Sequence, residues 1–301
     1  MHTRALLALL FTILTWGVAP VYIRAFSLAA GPADALVIRY VLVGILCLVF
    51  LPFFGGFRIP QQDWPRLLLI SLVGMLGYNL GSVFGFVHVT AGVGGLIIAT
   101  QPLLIALLAA LFGTERLSLA VVAGIAISFI GTGLLFRGDV GSGSGRGELL
   151  LGGSLIFLSG LAWSLYVVLS KPLIQRHGAF KITAISILIA TVPMLTLASG
   201  TTLKTAMNLD AGGLFALFYM VVPSTFMTVA TWNYAVGHLK PSAVGATLYL
   251  IPLLAVASGA VLLGETVTAT TVIAGAIILC GVALAQFGPR MRRTQFERQA
   301  D

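Results

Sequence analysis

The sequence predicts an all-α integral membrane protein with ten transmembrane helices, arranged as two inverted repeats of five helices. Three observations predict this fold class: the apolar composition, the regular spacing of the apolar runs, and an internal repeat. Of the 301 residues, 58% are apolar and only 9% are charged, and the mean hydropathy is +1.06. Because soluble domains carry about 25% charged residues, this chain has too little polar surface to cover a soluble core. Lipid must form part of its surroundings.

The apolar runs have the length that a bilayer requires. A hydrocarbon core about 30 Å thick needs about 20 apolar residues per helix, and gaps rich in charge, glycine and proline divide the chain at that spacing. The predicted spans are 5–24, 34–54, 66–87, 93–113, 118–136, 148–170, 180–199, 211–235, 242–263 and 268–288.

An alternative for the first span is a cleaved signal peptide, with small residues from Ser27 to Ala29 at the cleavage site. Trp16 argues against this alternative, because it has a counterpart, Trp163, deep in the second half of the chain. We therefore interpret the first span as a retained helix.

The basic residues predict the orientation in the membrane. With the N-terminus in the cytoplasm, only five of the seventeen Lys and Arg residues fall on the external side: Arg24, Arg39, Arg137, Arg146 and Lys204. This bias fits the positive-inside rule and predicts that both termini are cytoplasmic. The net charge of +8 does not indicate a nucleic-acid partner, because the basic residues form no stripe with interleaved aromatic residues. Compact size and short loops favour a bacterial inner membrane.

The second half of the chain repeats the first. Sliding the sequence against itself by about 150 residues aligns similar residues at equivalent places in the spans, as expected for an internal duplication. The aligned pairs are His88 with His238, Pro102 with Pro252, Glu115 with Glu265, Gly131 with Gly281 and, at a shift of 147, Trp16 with Trp163.

The repeat predicts four regions: a first five-helix repeat at 1–136, a polar linker at 137–147, a second repeat at 148–288 and a basic tail at 289–301. Because five is odd, the second copy is inverted in the membrane, as in many secondary transporters. Inverted halves favour transport, since alternating access rocks two matched halves about a central site. A receptor or a membrane enzyme has no comparable need for them.

Several spaced motifs resemble the EamA type of the drug/metabolite transporter superfamily over nearly the whole chain. The motifs are Thr15-Trp16-Gly17, Arg39-Tyr40, Pro102 followed by Gly113-Thr114-Glu115, and Pro252 followed by Gly264-Glu265. Thr114 is a departure, because it splits the usual Gly-Glu pair. The resemblance implies ten helices, a central cavity lined mainly by spans 1, 3, 4, 6, 8 and 9, and peripheral spans 5 and 10. It does not imply a substrate.

Two prolines predict breaks in the helices that line this cavity. Pro102 and Pro252 lie within predicted spans, where each removes an amide donor and frees a carbonyl one turn earlier, at Ile98 and Leu248. Freed carbonyls can bind substrate and allow gating. The alternative is a structural kink whose polar groups are satisfied by neighbouring helices.

Aromatic and polar residues at membrane depth are the candidate substrate-binding residues. Trp16 and Trp163 lie too deep in their spans to be interfacial anchors. In span three, a face of glycines spaced by four predicts close helix packing, and the neighbouring polar residues are then aimed into the cavity. The complete candidate set is Trp16, Tyr78, Asn79, Ser82, Gln101, Trp163, Tyr166, Trp232 and Tyr249.

The positions of the charges exclude some substrates. No acidic residue lies in the middle of a span, which disfavours a multidrug cation exporter that exchanges protons at a membrane carboxylate. Lys and Arg are absent from the centres of spans seven to ten, which disfavours sugar phosphates and nucleotide sugars. His88 and His238 lie at span ends, where a structural or interfacial role is the simpler interpretation.

These observations together predict a carrier that exports amino acids, with aromatic ones favoured, or similar neutral or zwitterionic metabolites by alternating access. YddG-like amino-acid exporters belong to the family that the motifs resemble. The alternatives are a transporter of other drugs or metabolites, or a non-transporting membrane subunit. An enzyme is disfavoured because the four histidines show no metalloenzyme spacing. The predicted partners are a small-molecule substrate and membrane lipid, with no cofactor or metal.

Overall fold

A computed structural model describes the backbone of residues 2–113, 118–137, 145–239, 247–248 and 250–300. Every regular element within these ranges is helical, so the prediction of an all-α protein is confirmed for this part of the chain. The helices span His2–Ala30 (α1), Pro32–Phe50 (α2), Gln61–Phe86 (α3), Ala91–Leu111 (α4), Leu119–Arg137 (α5), Arg146–His177 (α6), Ala179–Met194 (α7), Ala211–Trp232 (α8, continuing to His238), Leu250–Leu263 (α9) and Ala269–Ala300 (α10).

Within the described ranges, the helices α1 to α8 are long and apolar enough to cross a membrane. Helix α9 and the apolar part of α10, Ala269–Ala285, are shorter. The protein is therefore a multi-pass membrane protein, and the full set of ten spans stays a prediction. Helix α10 continues to Ala300, beyond the predicted boundary at 288, because the basic tail carries several Arg and Gln residues, which favour helix.

The glycine face of α3 packs directly against α6. A Cβ atom on Gly81 would lie 2.6 Å from the Leu155 carbonyl oxygen, and one on Gly85 would lie 2.6 Å from Ile156 Cγ1. Side chains larger than hydrogen would therefore push the two helices apart. In membranes, small residues let helix backbones approach closely enough for van der Waals packing to hold them. This contact fixes the rotation of α3 and so the direction of its other side chains.

Helices α5 and α10 form a second close pair. A Cβ atom on Gly281 would lie 2.6 Å from the Gly124 carbonyl oxygen, and the Ser128 hydroxyl donates to the Ile278 carbonyl at 3.0 Å. The contact is reciprocal, since a Cβ on Gly124 would in turn meet the Gly281 carbonyl. A serine hydroxyl bonded across the interface adds to the packing of small residues.

Polar clusters join the helices at both ends of the bundle. At one end, called the Asp63 end, the Asp63 carboxylate accepts a hydrogen bond from Arg176 at 2.6 Å and lies 2.7 Å from His177 Nε2. This cluster joins the start of α3 to the end of α6. At the other end, called the Glu265 end, Glu265 pairs with Arg24.

Candidate substrate cavity

A cavity of about 280 Å³ lies between α1, α4, α6, α8, α9 and α10. This volume is near the lower end of the range for small-molecule sites, which is about 300 Å³. It therefore suits a metabolite of modest size. The cavity is lined by Trp16, Ile98, Ala99, Gln101, Pro102, Ile105, Trp163, Val167, Trp232, Leu248, Ile251, Pro252, Leu279 and Val282.

Helix α4 is interrupted where it borders the cavity. The first segment ends at Ile98 and the second begins at Gln101, with the Thr100 carbonyl accepting the amide of Leu103 at 3.0 Å. Pro102 is therefore in the first turn of a new helical segment. A helix has no internal acceptor for the amides of its first turn, so proline fits there without losing a bond.

The second proline follows the same pattern. Pro252 is the third residue of α9, which begins at Leu250. The Leu248 carbonyl is not free as predicted, because it accepts the Ile251 amide at 3.2 Å. Both prolines thus mark helix starts and not kinks in the middle of a continuous helix, and both border the cavity together with Ile98 and Leu248.

Aromatic rings form two walls of the cavity. On one side, the rings of Trp16 in α1 and Trp232 in α8 lie 5.3 Å apart, centroid to centroid. On the other side, Trp163 in α6 is held by two tyrosines, with centroids 5.0 Å from Tyr78 and 5.2 Å from Tyr166. Such distances are in the range for favourable aromatic pairs. Trp163 is thus presented to the cavity on a rigid aromatic support.

Gln101 brings an amide group to this largely apolar lining. Its Nε2 atom is buried and has no hydrogen-bond partner within the described structure, and its backbone carbonyl accepts a 3.4 Å hydrogen bond from the Ser164 hydroxyl. A buried donor without an acceptor is unfavourable by about 1–3 kcal/mol. An acceptor atom on a bound substrate would satisfy it.

The other candidate residues do not line the cavity. Asn79 is buried and donates to the Met75 carbonyl of its own helix at 2.8 Å, while Ser82 donates to Ser159 of α6 at 3.2 Å. The Tyr166 hydroxyl donates a hydrogen bond to the Thr183 hydroxyl of α7 at 3.2 Å. Tyr78 and Tyr166 therefore form a layer behind Trp163, and Asn79 and Ser82 belong to helix packing. Tyr249 lies outside the described residues.

Apart from Ile98, Pro102, Leu248 and Pro252, the aliphatic residues of the lining were not predicted from the sequence. Leu279 and Val282 come from α10, which was expected to be peripheral, and α3 supports the wall through Tyr78 without lining it. An apolar side chain that faces a cavity has the same sequence signal as one that faces lipid. Only the observed packing distinguishes them.

On the Glu265 side of the cavity, α9 packs closely against α1 and α4. A Cβ atom on Gly17 of α1 would lie 2.5 Å from the Leu254 Cβ, and one on Gly92 of α4 would lie 3.2 Å from the Val256 Cα. Helices in such contact leave no passage between them, so these contacts seal the α1–α9 and α4–α9 interfaces.

A charged cluster lies outside this seal. Glu265 accepts the backbone amides of Ala91 at 2.7 Å and Gly92 at 3.2 Å, and its carboxylate lies 3.2 Å from Arg24 Nε. Arg24 Nη1 also donates to the carbonyls of Phe86, at 2.9 Å, and Val89. One ion pair therefore joins the end of α1, the α3–α4 turn, the start of α4 and the loop after α9.

The sequence matches a known family over both halves. The EamA-like transporter family matches residues 3–137 and, a second time, residues 150–287. The chain belongs to the EamA-like transporter family. It is a transporter of the drug/metabolite superfamily and not an enzyme, and the resemblance carried by the sequence motifs is confirmed.

Curated relatives cover almost the full length of this EamA-like transporter. A probable terminal-alkyne amino-acid exporter of Streptantibioticus cattleyicolor is 27% identical over 94% of this chain and 93% of its own. A probable amino-acid metabolite efflux pump of Salmonella typhimurium is 25% identical over 80% of this chain and 87% of its own. The inner membrane transporter YedA of Escherichia coli K12 is 28% identical over 93% of this chain and 90% of its own.

One solved crystal structure has the same fold as this EamA-like transporter. It superposes with a TM-score of 0.61 at 21% sequence identity, over 97% of this chain and 99% of that chain. At this level of identity the likeness concerns the fold alone.

Proposed function

We propose that this transporter exports amino acids, with aromatic amino acids favoured over other neutral or zwitterionic metabolites. The observation that carries the proposal is the cavity, which combines tryptophan walls with one buried amide donor. The names of two relatives, an amino-acid exporter and an amino-acid metabolite efflux pump, support the same substrate class. Transport of this kind requires residues that bind the substrate and no catalytic residues.

The ring of an aromatic amino acid fits between the two tryptophan walls. Trp16 and Trp163 offer flat apolar faces from different helices, and offset or edge contacts between rings add about 0.5–1.5 kcal/mol per pair beyond the burial of area. Gln101 Nε2, which lacks a partner, donates to an acceptor of the amino-acid backbone. Aromatic faces thus select the side chain, and the amide orients the polar end.

Alternating access supplies the mechanism. The halves 1–136 and 148–288 form two inverted sets of five spans joined by a linker, with both termini in the cytoplasm. We infer that the α9 contacts and the Arg24–Glu265 pair hold the Glu265 end closed. Export requires α9 to separate from α1 and α4, which opens the cavity on this side.

Uptake into proteoliposomes tests the proposed function. Purified protein is reconstituted, and accumulation of labelled phenylalanine is measured against an excess of unlabelled tryptophan, alanine, glucose 6-phosphate or tetraphenylphosphonium. We expect tryptophan to compete best, alanine weakly, and the phosphate and the cation not at all. Absence of saturable phenylalanine uptake, or competition by the cation or the phosphate as strong as that by tryptophan, contradicts the proposal.

Neutralising Glu265 should open the closed end. A hydrogen bond to a charged group contributes about 1.5–3 kcal/mol, so Glu265→Gln should shift the equilibrium toward the open form about tenfold or more. The measurement uses Ala99→Cys, which places a thiol in the cavity lining, in a Cys280→Ala background because Cys280 is exposed. We expect an impermeant thiol reagent added from the Glu265 side to label the Glu265→Gln protein about tenfold faster.

The Asp63 cluster provides a matched control for this experiment. Asp63→Asn also removes an ion pair, but at the opposite end and between α3 and α6, which stay packed through their glycine face. The labelling rate from the Glu265 side should not change in this variant. Equal acceleration by both substitutions would mean general loosening, and no acceleration by Glu265→Gln would remove the ion pair from the gate.

A further inference from the structure

Arg39 is a cation inside the helix bundle whose hydrogen-bonding groups are only partly used. It lies seven residues after Pro32 at the start of α2, which is about 10 Å into the helix at 1.5 Å per residue. Its Nη2 atom donates to the Thr225 hydroxyl of α8 at 3.1 Å, and its Nε atom is buried without a partner in the described structure. The guanidinium carbon lies 5.5 Å from the ring centroid of Tyr40.

Among the described residues, no carboxylate pairs with this guanidinium. The ion pairs found there are Arg24 with Glu265, and Asp63 with Arg176 and His177. Arginine stays protonated in proteins, so Arg39 keeps its charge in a medium where an unpaired charge is strongly unfavourable. Arginines within transmembrane segments are rare, and they mark paths for ions or substrates.

Arg39 lies near the depth of the tryptophan cavity. Arg39 is in α2, which packs against α3 and α8, and Tyr78 of α3 contacts the cavity residue Trp163 in a tilted arrangement. Thr225, the partner of Arg39, lies in α8 between Tyr219 and Thr231. The Tyr219 ring centroid is 4.3 Å from that of Tyr22 in α1, and the Thr231 hydroxyl is 2.8 Å from that of Thr12. Because Trp16 lies between Thr12 and Tyr22, Arg39 is near the depth of Trp16.

The helix that contacts Arg39 is locally irregular. Thr225 belongs to a π-helical turn, Val222–Met227, and its hydroxyl donates to the Met220 carbonyl at 2.7 Å. π turns inside α-helices occur frequently at functional sites. Here the turn places the Thr225 oxygen as an acceptor for one N–H group of Arg39, which orients the guanidinium and leaves the Nε group unused.

We propose that Arg39 binds the carboxylate of the substrate as the substrate leaves the tryptophan cavity. The inference rests on the proposed transport of amino acids and adds a residue that selects for the carboxylate. A guanidinium presents paired N–H groups that match the two oxygens of a carboxylate. The ring is then recognised by Trp16 and Trp163, and the acid group by Arg39.

Phenylalanine and phenylalaninamide provide the test, since they share the ring and the ammonium group and differ in the carboxylate. Uptake of each into proteoliposomes gives a ratio of kcat/KM values. For the wild type we expect a preference for phenylalanine of about tenfold or more, because a hydrogen-bonded charge is replaced by a neutral group. In Arg39→Gln the preference should fall to near one while uptake of phenylalaninamide is retained.

Three further variants separate binding from structure. Arg39→Lys keeps the charge but not the paired N–H groups, so we expect a preference for phenylalanine between those of the wild type and Arg39→Gln. If Arg39→Gln does not fold, Arg39→Lys serves as the test of carboxylate binding. Thr225→Val removes the α2–α8 hydrogen bond but leaves the guanidinium, so the preference should persist. Arg66→Gln, at an exposed position, should behave as the wild type.

The outcomes distinguish the inference from the proposed function. Equal loss of both substrates in Arg39→Gln, matched by Thr225→Val, would mean that Arg39 only joins α2 to α8 and would overturn the inference. An unchanged preference in Arg39→Gln or Arg39→Lys would overturn it as well. If the wild type transports neither compound, the proposed function itself fails, and the inference fails with it.

Discussion

Trp163→Ala should nearly abolish transport of phenylalanine while the protein still folds. The substitution removes the contact of the Trp163 ring with the substrate. It also removes the contacts of that ring with Tyr78 and Tyr166, which hold this wall of the cavity in place. Each aromatic pair is worth about 0.5–1.5 kcal/mol beyond burial, so two or three such pairs sum to about 1–4.5 kcal/mol. This sum corresponds to a loss of about fivefold to two-thousandfold in kcat/KM. Uptake and size-exclusion profile are measured on the same preparation.

Trp16→Ala and Trp64→Ala complete this comparison. Trp16 pairs with Trp232 alone, so its loss should reduce kcat/KM by a smaller factor, about three- to tenfold beyond the loss of buried area. Trp64 is 37% exposed at the start of α3, far from the cavity, and Trp64→Ala should transport normally. Normal transport by both Trp16→Ala and Trp163→Ala would remove the tryptophan walls from the binding site.

Gly81→Leu should prevent folding. The Cβ atom alone would lie 2.6 Å from the Leu155 carbonyl oxygen, and the remaining side chain has no space between the α3 and α6 backbones. Overpacking of this kind destabilises by about 1–3 kcal/mol for small insertions and by more where backbone must move. We expect loss of the monodisperse peak in detergent, or a large fall in melting temperature.

Gly133→Leu is the matched control for this substitution. Gly133 is also within a transmembrane helix, α5, but a Cβ atom there meets nothing within 4 Å. Its melting temperature should stay within a few degrees of the wild type, because no neighbour is displaced and leucine is a better helix former than glycine. Similar damage in both variants would mean that the α3–α6 contact does not determine the stability.

The sequence predicted most of the helices because their signals are local. Apolar runs of about 20 residues and the gaps between them required no knowledge of packing. The tryptophan pair could be predicted from the repeat, since Trp16 and Trp163 occupy equivalent places in the two halves. The packing face of α3 could also be predicted, because glycines at spacing of four leave few other interpretations.

The directions of side chains could not be predicted to the same degree. Helix α3 contains a π turn, Ile70–Met75, and one added residue rotates every later side chain by about 100° relative to a regular helix. Asn79 and Ser82 follow this turn together with the glycine face, so the turn does not change their direction relative to that face. Their packing contacts are with Met75 of the same helix and Ser159 of the neighbouring helix. Pro102 and Pro252 were predicted to lie within continuous helices, whereas each lies in the first turn of a helical segment. Hydrophobic periodicity does not show where an interrupted helix begins again.

Long-range polar contacts were also beyond the reach of sequence patterns. Glu265 was recognised as part of a motif, but its contact with Arg24 and with the amides that begin α4 spans more than 170 positions. Arg39 was assigned to the external side, and nothing local indicated that it would meet Thr225. Both contacts depend on how separate helices meet in the bundle.

Protection of Ala99→Cys by substrate tests most directly whether amino acids bind in the tryptophan cavity. In the Cys280→Ala background, the rate at which a thiol reagent modifies Ala99→Cys is measured over a range of phenylalanine concentrations. We expect modification to slow to a small fraction of its initial rate, with half-protection near the KM for uptake, and we expect Trp163→Ala in the same protein to remove the protection. Full modification at concentrations of phenylalanine that saturate uptake would place the substrate elsewhere and contradict binding in the tryptophan cavity.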